Sequence, residues 1–258
     1  MAERTLIIGN WKMHLNVSQA SLLLHRLQER IRISNDIEVV LAPSMLVLQP
    51  LSVRLDRRKF RLAAQNAYAK DEGAFTGEVS FTMLRDLVHY VIIGHSERRT
   101  YFNETLPMIR DKVAAAVRNE IVPVLCVGET KQERKNGETR QVLHDQVSTA
   151  LADLTAKEVQ DLVIAYEPVW AIGKGDPAKP DQIEEAIAYI RLQIEHLYGK
   201  KAAQAVRVIY GASVEPEFTG GILQLKGVDG LLVGGASVNY HQFSAIVDAA
   251  YKLQRKAE

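Results

Sequence analysis

One acidic residue, Glu167, stands at the end of a short apolar run and directly before a loop that contains two glycines. The run covers residues 162–165, and the loop continues through 168–170 (PVW) to a tip at 173–175 (GKG). Apolar surroundings raise the basicity of a carboxylate by disfavouring its charged form, and such a loop can close over a ligand and exclude water. The stretch is typical of a general base beneath a lid, although an acid that pairs with a neighbouring cation fits it equally well.

Other residues that can do chemistry also follow short apolar runs. His95 precedes a polar segment that can form a helix, and an imidazole at a helix N-terminus is favoured in its neutral form, which can polarise a carbonyl group. Lys12, beside Asn10, can stabilise developing negative charge. Taken singly, each is more often structural, as a capping histidine or a solvated lysine.

Small residues in turns form a third group. Backbone N–H groups can approach a phosphate closely where no Cβ intervenes, and a helix N-terminus adds favourable potential for an anion. One such turn taken alone is more often an ordinary turn. The candidates for a phosphate site are Gly173, Ser213, Gly234 and Gly235.

Eight β-type runs alternate with segments of helical periodicity, and this order predicts how the candidates are brought together. Strands that are apolar on both faces pair in parallel through right-handed crossovers, so eight units can close into a (β/α)8 barrel. An open doubly wound sheet is the alternative, but no G-x-G-x-x-G motif follows the first strand. In the barrel, every candidate lies in a loop after a strand C-terminus, at one rim. The predicted strands are 5–9, 37–42, 60–66, 90–94, 122–127, 162–166, 206–210 and 230–233.

The composition limits the classes of function. The 258 residues contain no linker-like stretch, which predicts a single domain over residues 1–258. Lys plus Arg number 32 against 31 for Asp plus Glu, and this formal charge of +1 gives no general attraction to nucleic acid or to an anionic membrane. Any anion must therefore be recognised locally.

The residues that could hold metals or disulfides are sparse. Cys126 is the single cysteine, so no intramolecular disulfide can form, and a reducing compartment is expected. The histidines lack the spacing of metal ligands, so no metal site is expected. The apolar run near the N-terminus is too short for a signal peptide or a membrane span, which favours a cytoplasmic protein.

Motifs at these loops resemble those of the triosephosphate isomerase family, in its order and spacing from Gly9 to about Ser237. Agreement at every active loop is far more specific than any one motif. The matching segments are 10–12 (NWK), 64–66 (AQN), 73–78 (GAFTGE), 94–99 (GHSERR), 126–129 (CVGE) and 166–173 (YEPVWAIG).

The resemblance implies an enzyme that interconverts dihydroxyacetone phosphate and D-glyceraldehyde 3-phosphate through an enediolate, a reaction that needs no cofactor. Glu167 would be the base and His95 the electrophile, while Lys12 and Asn10 would stabilise charge. Ser96 and Glu97 belong to the same catalytic segment as His95. Two alternatives stay open: an isomerase of a four-carbon ketose phosphate, and a phosphate-binding barrel without activity.

The resemblance also implies a homodimer. The long loop from Gln65 to Glu78, with Thr76 near its tip, would insert into a twin subunit beside the partner subunit's Lys12 and the partner subunit's His95. Long loops in compact domains usually have a function, which favours an ordered partner contact over a floppy surface loop.

Some residues depart from the family pattern. Lys174 stands where threonine is usual, Pro177 lies in the second hinge of the lid, and Ala212 replaces a glycine. Proline restricts φ and alanine penalises positive φ, so altered lid closure is expected. His14-Leu15 replaces the more usual Asn-Gly, for which the sequence suggests no function.

Overall fold

The structure is a computed structural model that describes residues 4–173 and 177–257. Eight parallel strands close into a barrel in sequence order, which confirms the expected (β/α)8 architecture. The strands are β1 Thr5–Asn10, β2 Ile37–Ala42, β3 Phe60–Ala64, β4 Tyr90–Ile93, β5 Val122–Val127, β6 Val163–Tyr166, β7 Arg207–Tyr210 and β8 Gly230–Val233.

Helices surround the barrel and follow the strands. In the described ranges they are α1 Val17–Arg30, α2 Met45–Ser52, α3 Phe81–Leu84, α4 Ser96–Tyr101, α5 Leu106–Arg118, α6 Lys131–Lys135, α7 Thr139–Leu151, α8 Ala156–Val159, α9 Pro180–Tyr198, α10 Lys200–Ala205, α11 Pro216–Leu223 and α12 Tyr240–Ala257. Two 3-10 turns, Val169–Ala171 and Gly235–Val238, follow β6 and β8. None of these helices is long and apolar enough to span a bilayer.

The predicted strand ends differ from the observed ones by at most two residues, and the largest difference has a clear cause. β3 was predicted to continue to residue 66 but ends at Ala64. Gln65 leaves the ladder because its side-chain amide donates hydrogen bonds to the carbonyls of Lys12 and Ala42, at 2.9 and 2.8 Å. The loop after β3 is thereby tied to the ends of β1 and β2.

The barrel closes where β1 meets β8, with Leu6 opposite Gly230 in the register. A Cβ on Gly230 would lie 1.9 Å from the carbonyl oxygen of Leu6, so only glycine permits this close approach of the two strands. The closed barrel has no free sheet edge, and it fixes the distances between strand ends around the whole rim.

Two apolar cores lie on the two faces of the sheet. Leu6 and Ile8 of β1 point into the barrel and join one core, whereas Ile7 points outward to the helices and joins the other. This burial on both faces explains the continuous apolar runs in the sequence. It also makes the strand ends a rigid platform for the loops of one rim.

A buried ion network ties the loop after β3 to the helices that follow β4. Glu104, whose side chain is 1% exposed, accepts hydrogen bonds from Lys112 and Arg98, and Lys112 also donates to Asn66 at 2.8 Å. Burial raises the pKa of Glu104, but the hydrogen bonds from Lys112 and Arg98 lower it by more. The acid is therefore ionised in the fold at neutral pH.

We expect Glu104→Gln to lower the free energy of unfolding at pH 7 by about 3 kcal/mol, because Lys112 is left buried without its counter-charge. The lowered pKa of Glu104 means that its stabilisation is present above the unfolded-state pKa of about 4 and is lost as pH falls through the folded-state value. The difference between wild type and variant should therefore shrink in acid, as measured by chemical denaturation at pH 7 and pH 3.5.

Glu185→Gln is the matched control. Glu185 pairs with Arg140, and both side chains are well exposed, so its loss should cost less than about 1 kcal/mol. Equal losses for the two variants would contradict the importance of the buried network.

Candidate active site

Two catalytic candidates, Glu167 and His95, meet at the rim of the barrel. Glu167 follows β6, His95 follows β4, and the two residues are 3% and 6% exposed. Nε2 of His95 lies 3.1 Å from Oε1 of Glu167, while the backbone N–H of Ser96 donates to Oε2 at 3.2 Å. Both oxygens of the carboxylate are therefore engaged.

The surroundings of Glu167 act on its charge in opposite directions. Burial raises the pKa of Glu167, but the facing His95, the Ser96 amide and the Lys12 ammonium lower it by more. The effect expected from the sequence, that burial raises the basicity of Glu167, is therefore present, but the net pKa lies below the ordinary value of a glutamate. The reason is that polar groups from two other loops reach the carboxylate.

His95 is oriented by the helix that it caps. The backbone N–H of Glu97, in the first turn of α4, donates to Nδ1 of His95 at 3.2 Å, so the ring proton belongs on Nε2, toward Glu167. Burial lowers the pKa of His95, but the Glu167 carboxylate raises it by more. A substrate that separates the pair would remove this effect, and the helix N-terminus would then favour the neutral ring.

Lys12 is held over the same rim. Its Nζ lies 2.5 Å from Oε1 of Glu97, and its backbone N–H donates to Oδ1 of Asn10 at 3.1 Å. Its backbone has a φ of 50°, in the left-handed region that is unfavourable for lysine. Leu15, three residues on, has a φ of 70°, which explains why a glycine suits this position in the family pattern.

The glycine turns lie beside these charged groups. A Cβ built on Gly234 would be 3.8 Å from Nζ of Lys12, and Gly235 begins the 3-10 turn after β8. The hydroxyl of Ser213 donates to the carbonyl of Gly173 at 2.7 Å, which joins the loop after β7 to the loop after β6. The structure therefore places Lys12 near the turn at Gly234 and joins Ser213 to Gly173 by a hydrogen bond.

Of the residues that were expected to alter lid closure, some lie within the described part of the chain and some do not. Lys174 lies outside the described residues, and Pro177 is exposed in a stretch without regular secondary structure. Ala212 is absent from the described non-glycine residues with positive φ, so the strain expected from a positive φ there does not arise in this conformation.

A cavity of about 380 Å³ opens over the site. Asn10, Lys12, His95 and Glu97 line it, together with residues 77–79 of the loop after β3. Thr76 is exposed and is not among the lining residues. A larger cavity of about 540 Å³ opens at the opposite rim and contains none of the predicted site residues.

A model of the triosephosphate isomerase family matches residues 5–250. The chain belongs to the triosephosphate isomerase family. A relative of that name from Clostridium tetani (strain Massachusetts / E88) is 43% identical over 246 residues, which cover 95% of this chain and 96% of the relative.

Two other relatives match this chain over nearly their whole length. The triosephosphate isomerase of Citrifermentans bemidjiense is 44% identical, over 95% of this chain and 98% of its own. That of Lactococcus lactis subsp. cremoris is 40% identical, over 96% of this chain and 99% of its own. The matches therefore include every loop of the rim.

Sequence reasoning placed Glu129 at the rim but gave it no role. It is fully buried after β5 and accepts hydrogen bonds from Trp170 Nε1 at 2.9 Å, Arg134 at 3.0 Å and Tyr166 at 3.2 Å. Arg134 also stacks on the Trp170 ring, 4.5 Å from its centroid. Glu129 thus anchors the first turn of the loop that follows Glu167. The CVGE motif is the signal that pointed to it.

No group of histidines, cysteines and acids in ranges 4–173 and 177–257 is arranged to hold a metal ion.

We expect Glu167→Gln to lower the pKa of His95, because the substitution removes the negative charge that raises it. The imidazole nitrogens can be followed by 15N NMR across a pH titration, and the ligand-free wild type should show the proton of the neutral ring on Nε2. His89 is the internal control, since its pKa is lowered by burial and by Arg61 rather than by groups at this rim. An unchanged pKa of His95 would show that the pair is not coupled.

Proposed function

We propose that this chain catalyses the reversible interconversion of dihydroxyacetone phosphate and D-glyceraldehyde 3-phosphate. The observation that carries the proposal is the contact of 3.1 Å between Nε2 of His95 and Oε1 of Glu167, beside a cavity that His95 and Lys12 line. The imidazole lines this cavity and the buried carboxylate contacts the imidazole, so the two groups are close enough to act on the oxygen and the carbon of one carbonyl compound. Membership of the triosephosphate isomerase family supports this substrate.

Glu167 is the proposed base. Its carboxylate takes a proton from the carbon next to the carbonyl and returns it to the former carbonyl carbon. One carboxylate oxygen can reach both carbons from a fixed position. The lowered pKa of Glu167 keeps it ionised and ready for substrate. When the substrate displaces its present partners, His95 above all, the burial of Glu167 makes it a stronger base.

His95 is the proposed electrophile. The proton on Nε2 is available to hydrogen-bond the substrate carbonyl and then to move between its two oxygens as the enediolate forms and collapses. Lys12 and Asn10 stabilise the negative charge that develops, and Ser96 and Glu97 orient the base and the lysine. These steps use only side chains of this chain and the substrate, so the reaction requires no cofactor.

The phosphate is proposed to bind at the glycine turns. Gly234 and Gly235 leave the backbone open beside Lys12, whose charge suits a phosphate dianion. Ser213 and Gly173 are already joined by a hydrogen bond, which supports their movement together when the loop closes. Closure over the phosphate then excludes water from the carboxylate.

The test is turnover of triose phosphate in deuterated water. The wild type should exchange the proton next to the carbonyl with solvent, and Glu167→Gln should reduce kcat by about 10²-fold or more. Glu185→Gln, a change at an exposed side chain that pairs only with Arg140 among the described residues, should leave kcat unaltered. The same assay with a four-carbon ketose phosphate tests the alternative substrate, and binding of phosphate ligands without exchange would indicate a barrel that has lost catalysis.

We further propose a homodimer in the cytoplasm. The rim cavity is bordered by exposed apolar side chains, with Met13 95% and Phe102 61% exposed, which is typical of a surface that contacts another protein. The loop from Gln65 to Glu78 stands beside it and is ordered by packing of Phe75 on Tyr68, with ring centroids 4.6 Å apart. A second copy can therefore offer a preformed loop to this cavity. The single buried cysteine suits a reducing compartment.

We expect Thr76→Arg to break this dimer, because a bulky cation at the loop tip would meet the partner subunit's Lys12. Sedimentation should then show a species near the chain mass of 28.8 kDa rather than twice that mass, with a matching loss of turnover. Gln141→Arg, an exposed change on α7, should stay dimeric and active. A Thr76→Arg protein that sediments as the wild type does would contradict the proposed interface.

A further inference from the structure

Arg99 joins the two strand ends that lie behind the catalytic pair. Its Nε donates to the carbonyl of Gly94 at 2.7 Å, and its Nη2 donates to the carbonyl of Cys126 at 2.9 Å. Gly94 directly precedes His95, and Cys126 lies in β5, opposite Ala165 of β6. One guanidinium therefore links the backbone that carries His95 to the strand that supports Glu167.

The end of β5 is in direct contact with the backbone of Glu167. The N–H of Glu167 donates to the carbonyl of Val127 at 2.7 Å, one residue beyond the carbonyl that Arg99 holds. A Cβ on Gly128 would lie 1.8 Å from the carbonyl oxygen of Glu167, so the two chains are packed as closely as glycine allows. A shift of β5 must therefore move Glu167.

The Arg99 guanidinium packs against Gly94, where the absence of a side chain leaves room for it. Gly94 has a φ of 69°, and a Cβ there would lie 3.0 Å from Nη2 of Arg99 and 3.0 Å from Ile109. The side chain of Arg99 is thus confined between the rim backbone and α5. Its two hydrogen bonds to backbone carbonyls have little freedom to change.

The charge of Arg99 is not neutralised by an ion pair among the described residues, in contrast to Arg98, which pairs with Glu104. Burial lowers the pKa of Arg99, and the nearby Cys126 and Glu167 oppose this effect. Burial raises the pKa of the Cys126 thiol, Glu167 raises it further and Arg99 lowers it. The pKa of the Cys126 thiol thus depends on both Arg99 and Glu167.

We propose that Arg99 is a positioning residue for the reaction: it fixes the separation of His95 and Glu167 by bridging the carbonyls of Gly94 and Cys126, and it holds a positive charge behind the base. This inference rests on the proposed function. Arg99 does not touch the substrate. It acts through the backbone of the two residues that do.

The test compares Arg99→Met with Arg99→Lys. The methionine removes both hydrogen bonds and the charge, so kcat for triose phosphate should fall by about 10-fold to 100-fold with a smaller change in KM. Loss of the positive charge raises the pKa of Glu167, so the acid limb of kcat/KM should move to higher pH. The lysine keeps the charge and should restore the acid limb, while kcat recovers only in part.

Arg191 provides a matched control at the opposite end of the barrel. It also donates to backbone carbonyls, those of Ala203, Val206 and Gly227, at 2.8, 3.0 and 3.3 Å, and unlike Arg99 it forms an ion pair, with Asp229. Arg191→Met and Arg191→Lys should lower the melting temperature without moving the acid limb, because their effect is on the fold alone. The proposal is overturned if the Arg99 variants keep the wild-type kcat and acid limb, or if they change only in the way that the Arg191 variants do.

Two further measurements test the proposal: kcat of Arg99→Lys and the affinity for a substrate mimic. If Arg99→Met fails to fold, Arg99→Lys carries the test, because an unchanged kcat in that variant contradicts the proposed bridge. The affinity for 2-phosphoglycolate, whose carboxylate resembles the enediolate, should fall in parallel with kcat. Failure of the proposed function itself would be distinguished by a wild type that does not turn over triose phosphate.

Discussion

The contact between Glu167 and His95 is the interaction on which the rest of the site depends. It joins residues from two strands that are not neighbours in the sheet, and it forms only because a closed barrel brings all eight strand ends to the same rim. The Nε2–H group of His95 faces the ionised Glu167 carboxylate, and both residues are almost excluded from solvent. The acid is therefore ionised and the ring oriented before a substrate separates the two groups.

The supporting structure acts through short connections around this pair. Ser96 and Glu97 are the first residues of α4, and their backbone N–H groups fix the acid and the ring together. Glu129 holds the start of the loop after β6, and Gln65 ties the loop after β3 to two other strand ends. Each loop is thus anchored at its base by a polar side chain, while its tip is left to contact ligand or partner.

Much of this could be predicted from the sequence, and the reason is physical. Strands with apolar residues on both faces give continuous runs, so the barrel and its rim were recognisable, as was the capping position of His95 before a polar helix. The lowered pKa of Glu167 was not predictable, because it depends on groups from two other loops. The donors to Glu129 and the left-handed backbone of Leu15 were missed for a related reason, since both depend on contacts or angles that no local pattern encodes.

Cys126 lies inside the barrel with no exposed surface, and burial raises the pKa of its thiol. Only the thiolate reacts readily with alkylating agents and oxidants, so this sulfur is doubly shielded in the native state. Because it is the single cysteine in the chain, its labelling rate reports how often the barrel opens. The thiol of Cys126 is therefore an intrinsic probe of the opening of the barrel.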